Sequence, residues 1–320
     1  MGIGSVAARE FRRVVGWRLP LGWFTVSLVV MVVLWRLLVA QKEKPPEVAL
    51  FGGLMLTELG LVLVVVPALV VRFRLGEAGD ADLPGFAVAA GRLLAGYGYC
   101  LVLLSTALPL VVVCLLSGEV TVARAALAMV VVATIAGVVC AVAQCFSAVC
   151  RSPRRAGVWT YVSASVLTVG TAVVFFGTAL ATFHWVTVSG DSRPCPEPAE
   201  PGCRMSHDVT FCADSTDRIW WVMAPNPVVV LSDAARSPAV SGRYPTDPLG
   251  SVSRWIRSAR YPLTEDDFRP KLPDSPGRDM SWYPGPPIWP AGLAFDLLLA
   301  GLAFGITVRR TAFGRQEPRP

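Results

Sequence analysis

The sequence predicts an all-α integral membrane protein. Its plan is six transmembrane helices, an amphipathic N-terminal interfacial helix, and a large extracytoplasmic segment between spans five and six. Three observations carry that prediction. Hydrophobic residues fill 53% of the 320 positions and charged residues 16%, where soluble domains carry roughly 25% charge. The mean hydropathy is +0.53, and a chain this apolar has too little polar surface to cover its core in water. The apolar residues also fall into six stretches, each near the roughly 20 residues that a bilayer core about 30 Å thick requires. A secreted or cytosolic enzyme and a disordered scaffold are thereby excluded.

In chain order, residues 1–21 form the first element. In SVAAREFRRVVGWRLPLGW, Val6, Phe11, Val14, Val15 and Trp17 alternate with Arg9, Arg12, Arg13 and Arg18 over about three turns. That pattern suits a helix lying in the cytoplasmic interface before the first span. Residues 22–183 hold five spans, at 22–40, 48–71, 93–116, 122–149 and 156–183. The first lacks a small-residue cleavage site and is flanked by KEKPPE, so it reads as a retained anchor. Only SGEVT separates the third and fourth, which makes them a tight helical hairpin. Pro67 and Pro109 are expected to kink their spans. Residues 184–287 are polar and proline-rich without a span, and 288–320 contain the sixth span, 288–308, and a basic tail. The segment 184–287 is long enough for a small fold, with Trp220, Trp221 and Trp255 as its expected core. Trp185, Trp282, Tyr283 and Trp289 lie next to spans, where amphipathic rings favour the headgroup layer.

Charge placement sets the orientation. The net charge of +6 is too small to argue for a nucleic-acid partner, and 184–287, with 13 acidic and 11 basic residues, is nearly neutral. Fourteen basic residues lie in the N-terminal stretch, the second-to-third and fourth-to-fifth connections and the tail, against Lys42, Lys44 and Arg124 in the short loops opposite. By the positive-inside rule both termini are cytoplasmic. The bias of 26 Arg against 3 Lys, with abundant Ala, Val and Gly, suggests a high-GC bacterial genome and therefore a bacterial plasma membrane.

Residues able to carry chemistry are few. The nearest approach to a phosphate loop, Gly91-Arg92-Leu93-Leu94-Ala95-Gly96, lacks the Lys and the Ser or Thr that would hold a nucleotide. No GxSxG elbow or HExxH helix occurs, and the two histidines, His184 and His207, both fall in the polar segment. The sequence therefore predicts no catalytic, cofactor or metal site of its own. Cys100, Cys114, Cys140, Cys145 and Cys150 lie in or beside spans, where they read as small packing residues. Cys195, Cys203 and Cys212 face an oxidising compartment and are the candidates for one disulfide with a thiol left over. No bridge at all, or a Cys₃His metal site with His207, are the alternatives; the spacing matches no common zinc module.

Ionisable groups inside spans are costly and so are functional candidates. Glu58 lies near the middle of the second span, Asp296 in the outer half of the sixth, and Arg36 near the outer end of the first. They read either as a polar lining of a translocation path or a helix–helix pair, such as Arg36 with Asp296, or as an arginine snorkelling to the interface and a Glu58 that is protonated and hydrogen-bonded between helices.

This arrangement resembles the membrane subunits of type-2 ABC exporters. The stretch ADLPGFAVAAGRLLAGYGYCLVLLSTALPLVVVCLLSGEVT is similar to the family's third span, with Pro84, Gly91 and Gly118 in matching places. CAVAQCFSAVCRSPRRAGVWTYV, with Ser147, Ala156 and Tyr161, looks like the region that follows. APNPVVVLSDA, at Asn226 and Pro227, is similar to an Asn-Pro segment before the last span. Arg92 stands where the family usually has Lys, Ser117-Gly118 replaces a glycine pair, and the second-to-third loop lacks a Gly-Thr-Leu. The resemblance implies a second permease subunit, identical or not, and a separate ABC ATP-binding subunit that carries ATP and Mg²⁺. It places the ATPase-coupling surface at Arg72, Arg74, Glu77, Asp80 and Asp82. The other reading is a six-span sensor or assembly protein whose extracytoplasmic segment binds a ligand or partner.

Overall fold

The computed structural model describes residues 3–14, 16–40, 46–70, 84–150, 152–182, 184–189, 208–213, 216–236, 247–260 and 286–313. Six helical stretches are long and apolar enough to cross a membrane: Arg18–Val39, Val48–Val70, Gly85–Leu116, Val122–Val149, Pro153–Ala181 and Trp289–Ala312. That is compatible with a multi-pass membrane protein.

The first helix, α1 (Ile3–Val14), ends before Gly16, and α2 (Arg18–Ala40) follows. α3 spans Pro46–Val70. The third stretch is two helices, α4 (Gly85–Ser105) and α5 (Leu108–Leu116). Pro109 explains the break, because it has no N–H to donate and its ring displaces the Ser105 carbonyl. The chain tightens there into Thr106 N to Leu103 O and Ala107 N to Leu104 O bonds. Pro67 instead falls in the last turn of α3, which runs on through it to Val70. Gly118, at φ +80°, makes the turn into α6 (Val122–Val149), a conformation a side chain would strain. Thr121 caps α6 by accepting from the Arg124 N–H.

Ser152 caps α7 (Pro153–Ser165), which runs through a π-helical turn at Val166–Gly170 into α8 (Thr171–Ala181). The polar segment departs from an all-helical plan. β1 (His184–Ser189) and β2 (Asp208–Ala213) pair antiparallel, with Trp185 opposite Cys212. Both strands are rich in β-branched and aromatic residues, which suit a pleated ladder. Short 3₁₀ turns at Thr216–Arg218 and Trp220–Met223 lead to α9 (Pro227–Ala234), then α10 (Pro248–Ser258) and α11 (Trp289–Phe313).

The helices divide into a centre and a rim. Within an 18-residue apolar stretch of Val122–Val149, 56% of the residues are buried, against 11% in those of Arg18–Val39 and of Pro153–Ala181. Leu54, Leu59, Val62, Leu103, Val131 and Val132 belong to one core built from α3, α4 and α6. Val230, Leu231 and Leu249 belong to the same core, so α9 and α10 pack into the bundle. A second cluster joins Phe175 of α8 to Met223, Ile256 and Ile288. Of the tryptophans expected at the heart of the polar segment, Trp220 is half-buried against this second cluster, while Trp221 and Trp255 sit at its edge. Trp221 is 62% and Trp255 38% exposed, with Trp255 lying against Phe175 and Phe176.

Two expected boundaries move for a physical reason. The third stretch begins at Gly85, eight residues before the predicted 93, because Arg92 is buried in a helix rather than standing at its solvent edge. The sixth continues past 308 through Arg309 and Arg310, with Thr311 bonding the Gly85 carbonyl.

Candidate functional site

The polar side chains gather in three places, one at each end of the bundle and one in its middle. In the middle, α3, which is apolar apart from Glu47 in its first turn, Thr57 and Glu58, carries Glu58 wholly buried. Trp23 Nε1 donates to Glu58 Oε2 and Ser27 Oγ to Oε1, both at 2.6 Å. Trp23 and Ser27 lie one turn apart on α2, so a single carboxyl group spans one face of that helix. Gly53 permits the approach: a Cβ there would run into Leu34 of α2.

At the end where α4 begins and α6 and α11 finish, α1 lies across α4. Val6 packs on Val88. A Cβ on Gly91 would come within 2.7 Å of Val6 Cβ and 3.0 Å of the Ile3 carbonyl. Arg92 Nε lies 3.8 Å from Glu10 Oε1, both side chains buried. Phe11 meets Tyr99 edge to face at 6.2 Å. Gln144 of α6 donates to the Ala89 carbonyl at 3.1 Å. The apolar face of α1 that the sequence assigned to an interface is thus, at Val6 and Phe11, covered by α4.

The opposite end is a network of carboxylates and arginines around α9. Asn226 caps α9 through the Val228 and Val229 N–H groups. Its amide also donates to the Thr168 carbonyl at 2.7 Å and to Thr171 Oγ1 at 2.9 Å. Thr168 sits in the π turn, whose irregular ladder leaves a carbonyl open to an outside donor. Asp233 accepts from Ser253 Oγ, from Arg257 Nε, and from the N–H groups of Ile288 and Trp289. Burial pushes the Asp233 carboxyl up, but the bonds from Arg257, Trp289, Ile288 and Ser253 outweigh it and hold it below the usual carboxylate range. Arg124 donates to Asp247 Oδ2 at 2.7 Å and to the Ala235 carbonyl, and lies over the Phe51 ring at 5.2 Å. Asp247 in turn caps α10 at Leu249 N. One contact set therefore ties α3, α6, α9, α10 and α11 together.

The candidates read from the sequence scatter across this frame. Glu58 is central, and its partners are Trp23 and Ser27. Arg36 is exposed near the end of α2, and Asp296 is buried on α11. No ion pair joins them among the described residues, because α2 packs on α3 and α4 while α11 packs on α6, α4 and α9. Arg72, Arg74, Glu77, Asp80 and Asp82 lie outside the described residues, as do Cys195, Cys203 and His207. Cys212 is described by its place in β2. Among the described residues no three His, Cys, Asp or Glu side chains gather as metal ligands.

Sequence reasoning passed over Asp233, Asp247, Glu10 and Arg257, and counted Arg124 only as a loop charge. One of these carried a local signal. Asp247-Pro248, like Asn226-Pro227, is a capping residue followed by proline at the first helical position. The chain matches no protein-family model, and no curated protein or solved structure is significantly similar to it.

Proposed function

We propose that this chain is the permease subunit of an ATP-driven ABC exporter, with both termini cytoplasmic and α1 at the cytoplasmic face of a bacterial plasma membrane. A separate ATPase subunit would drive the bundle between inward-open and outward-open states. The observation that carries this reading is the seating of α1 on α4 through Gly91 and the buried Glu10–Arg92 pair. A basic helix so fixed moves with the core, and residues 71–83 join α3 to α4 at that same end. Force applied there would reach α4 and α6 directly. At the other end, Val230 and Leu231 of α9 and Leu249 of α10 pack into the core of the bundle. The little-enclosed faces of α2 and α7–α8 are left for lipid and for a second permease subunit. A six-span sensor or assembly protein is less well supported, because α9 and α10 share the core of the bundle instead of standing apart as a binding domain.

The test is a mild-detergent pull-down of the tagged chain from its native membrane, with the bound partners identified and ATP hydrolysis assayed. The expected result is a stoichiometric P-loop ATPase, released by charge reversal at Arg72, Arg74 and Glu77. An ATPase that survives those changes moves the coupling surface elsewhere. Recovery of the chain with no ATPase ends the transporter reading.

A further inference from the structure

We propose that Glu58 is a proton-binding site inside the bundle, and that the bound proton joins α2 to α3. The argument is an inventory of hydrogens. Ser27 Oγ lies 2.6 Å from Glu58 Oε1 and 3.1 Å from the Trp23 backbone carbonyl. The hydroxyl has one hydrogen, a carbonyl oxygen only accepts, and the Trp23 indole only donates. With an ionised carboxylate, the Ser27 hydrogen must point at Oε1, and the Trp23 carbonyl contact has none. With one proton taken from water onto Oε1, each contact has one hydrogen. Glu58 donates to Ser27, Ser27 donates to the Trp23 carbonyl, and Trp23 Nε1 donates to Oε2 at 2.6 Å.

The surroundings favour the same state. Glu58 and Ser27 are fully enclosed and Trp23 is 3% exposed, and among the described residues no cation stands within ion-pair distance of Glu58. The cations on neighbouring helices lie elsewhere. Arg124 lies over Phe51, two turns of α3 or about 10 Å along its axis from Glu58; Arg92 lies beside Glu10 and Arg257 on Asp233. Arg18 and Arg36 of α2 are exposed. An unpaired buried charge is strongly disfavoured, and a neutral acid avoids it. Among the described residues, the side-chain hydrogen bonds that tie α2 to another helix are the two on Glu58. The proton is therefore the polar tether of a rim helix.

The test uses the full chain with carboxyl-¹³C glutamate in lipid nanodiscs, the Glu58 resonance being identified by its loss in Glu58→Gln. The expected chemical shift at neutral pH is that of a carboxylic acid; a carboxylate shift overturns the proposal. Glutamine repeats the donor and acceptor pattern of the neutral acid, so Glu58→Gln should melt with wild type while Glu58→Leu melts lower. A Glu58→Gln protein that fails to fold, or melts with Glu58→Leu, also overturns it. Neither result depends on an ATPase partner, so this inference and the exporter reading fail separately.

Discussion

Asp233 shows how much one side chain organises. Its two oxygens gather a serine, an arginine and two backbone N–H groups from α10 and the start of α11. Removing one partner of a buried pair strands the other, so Asp233→Ala should cost about 3–5 kcal/mol, read as a lower melting temperature in detergent. The pH dependence has a definite sign. The folded carboxyl titrates below its unfolded value of about 3.9. Its contribution is therefore complete above that pH and is lost as pH falls through the folded value. The gap in melting temperature between wild type and Asp233→Asn should close in acid; a gap unchanged by pH would refute the assignment. Gly292 is as constrained as Asp233, because a Cβ there would collide with the Ala224 carbonyl. Gly292→Val should destabilise by at least the ~1–3 kcal/mol typical of overpacking, measured by the same melts.

At the scale of elements, two junctions hold helices that sequence periodicity treats as independent. α1 lies on α4 because Gly91 has no side chain, so Gly91→Leu should lift α1 while the bundle stays folded. Limited proteolysis would then cut within residues 1–17 first, with the spans intact. Cleavage no faster than in wild type would show that Gly91 does not set the contact. The second junction is the Asn226 amide on the π turn. Asn226→Ala removes both the cap of α9 and the anchor to α7–α8, and the cap alone is worth about 1 kcal/mol. Faster amide hydrogen exchange confined to α9 and the 166–171 turn is the expected signature. The break between α4 and α5 was legible in Pro109. The π turn carried no such mark, because it is stabilised by an amide 55 residues or more further along the chain.

For the whole molecule, the orientation rests on where arginines lie, and it is open to direct measurement. Reporter fusions at the two termini should report the cytoplasm, and an insertion near residue 200 the opposite side; reversed signals would overturn the assignment. Hydropathy by itself determined the number of long apolar helices and, to within a few residues, most of their ends. It could do so because burying a backbone in hydrocarbon demands about 20 apolar residues in a row, a requirement local to each segment. The caps at Asn226 and Asp247, each followed by proline, went unread although their signal is local, since capping acts over two or three residues. The sequence could not show that Arg92 is an interior residue, because that depends on Glu10 arriving from another helix. Nor could it tell that Glu58 of the two buried span acids is the one bonded by Trp23 and Ser27, or join Arg124 to an aspartate 123 residues away. Partners for buried charge are chosen by packing at long range, and only the tertiary structure decides which helices meet.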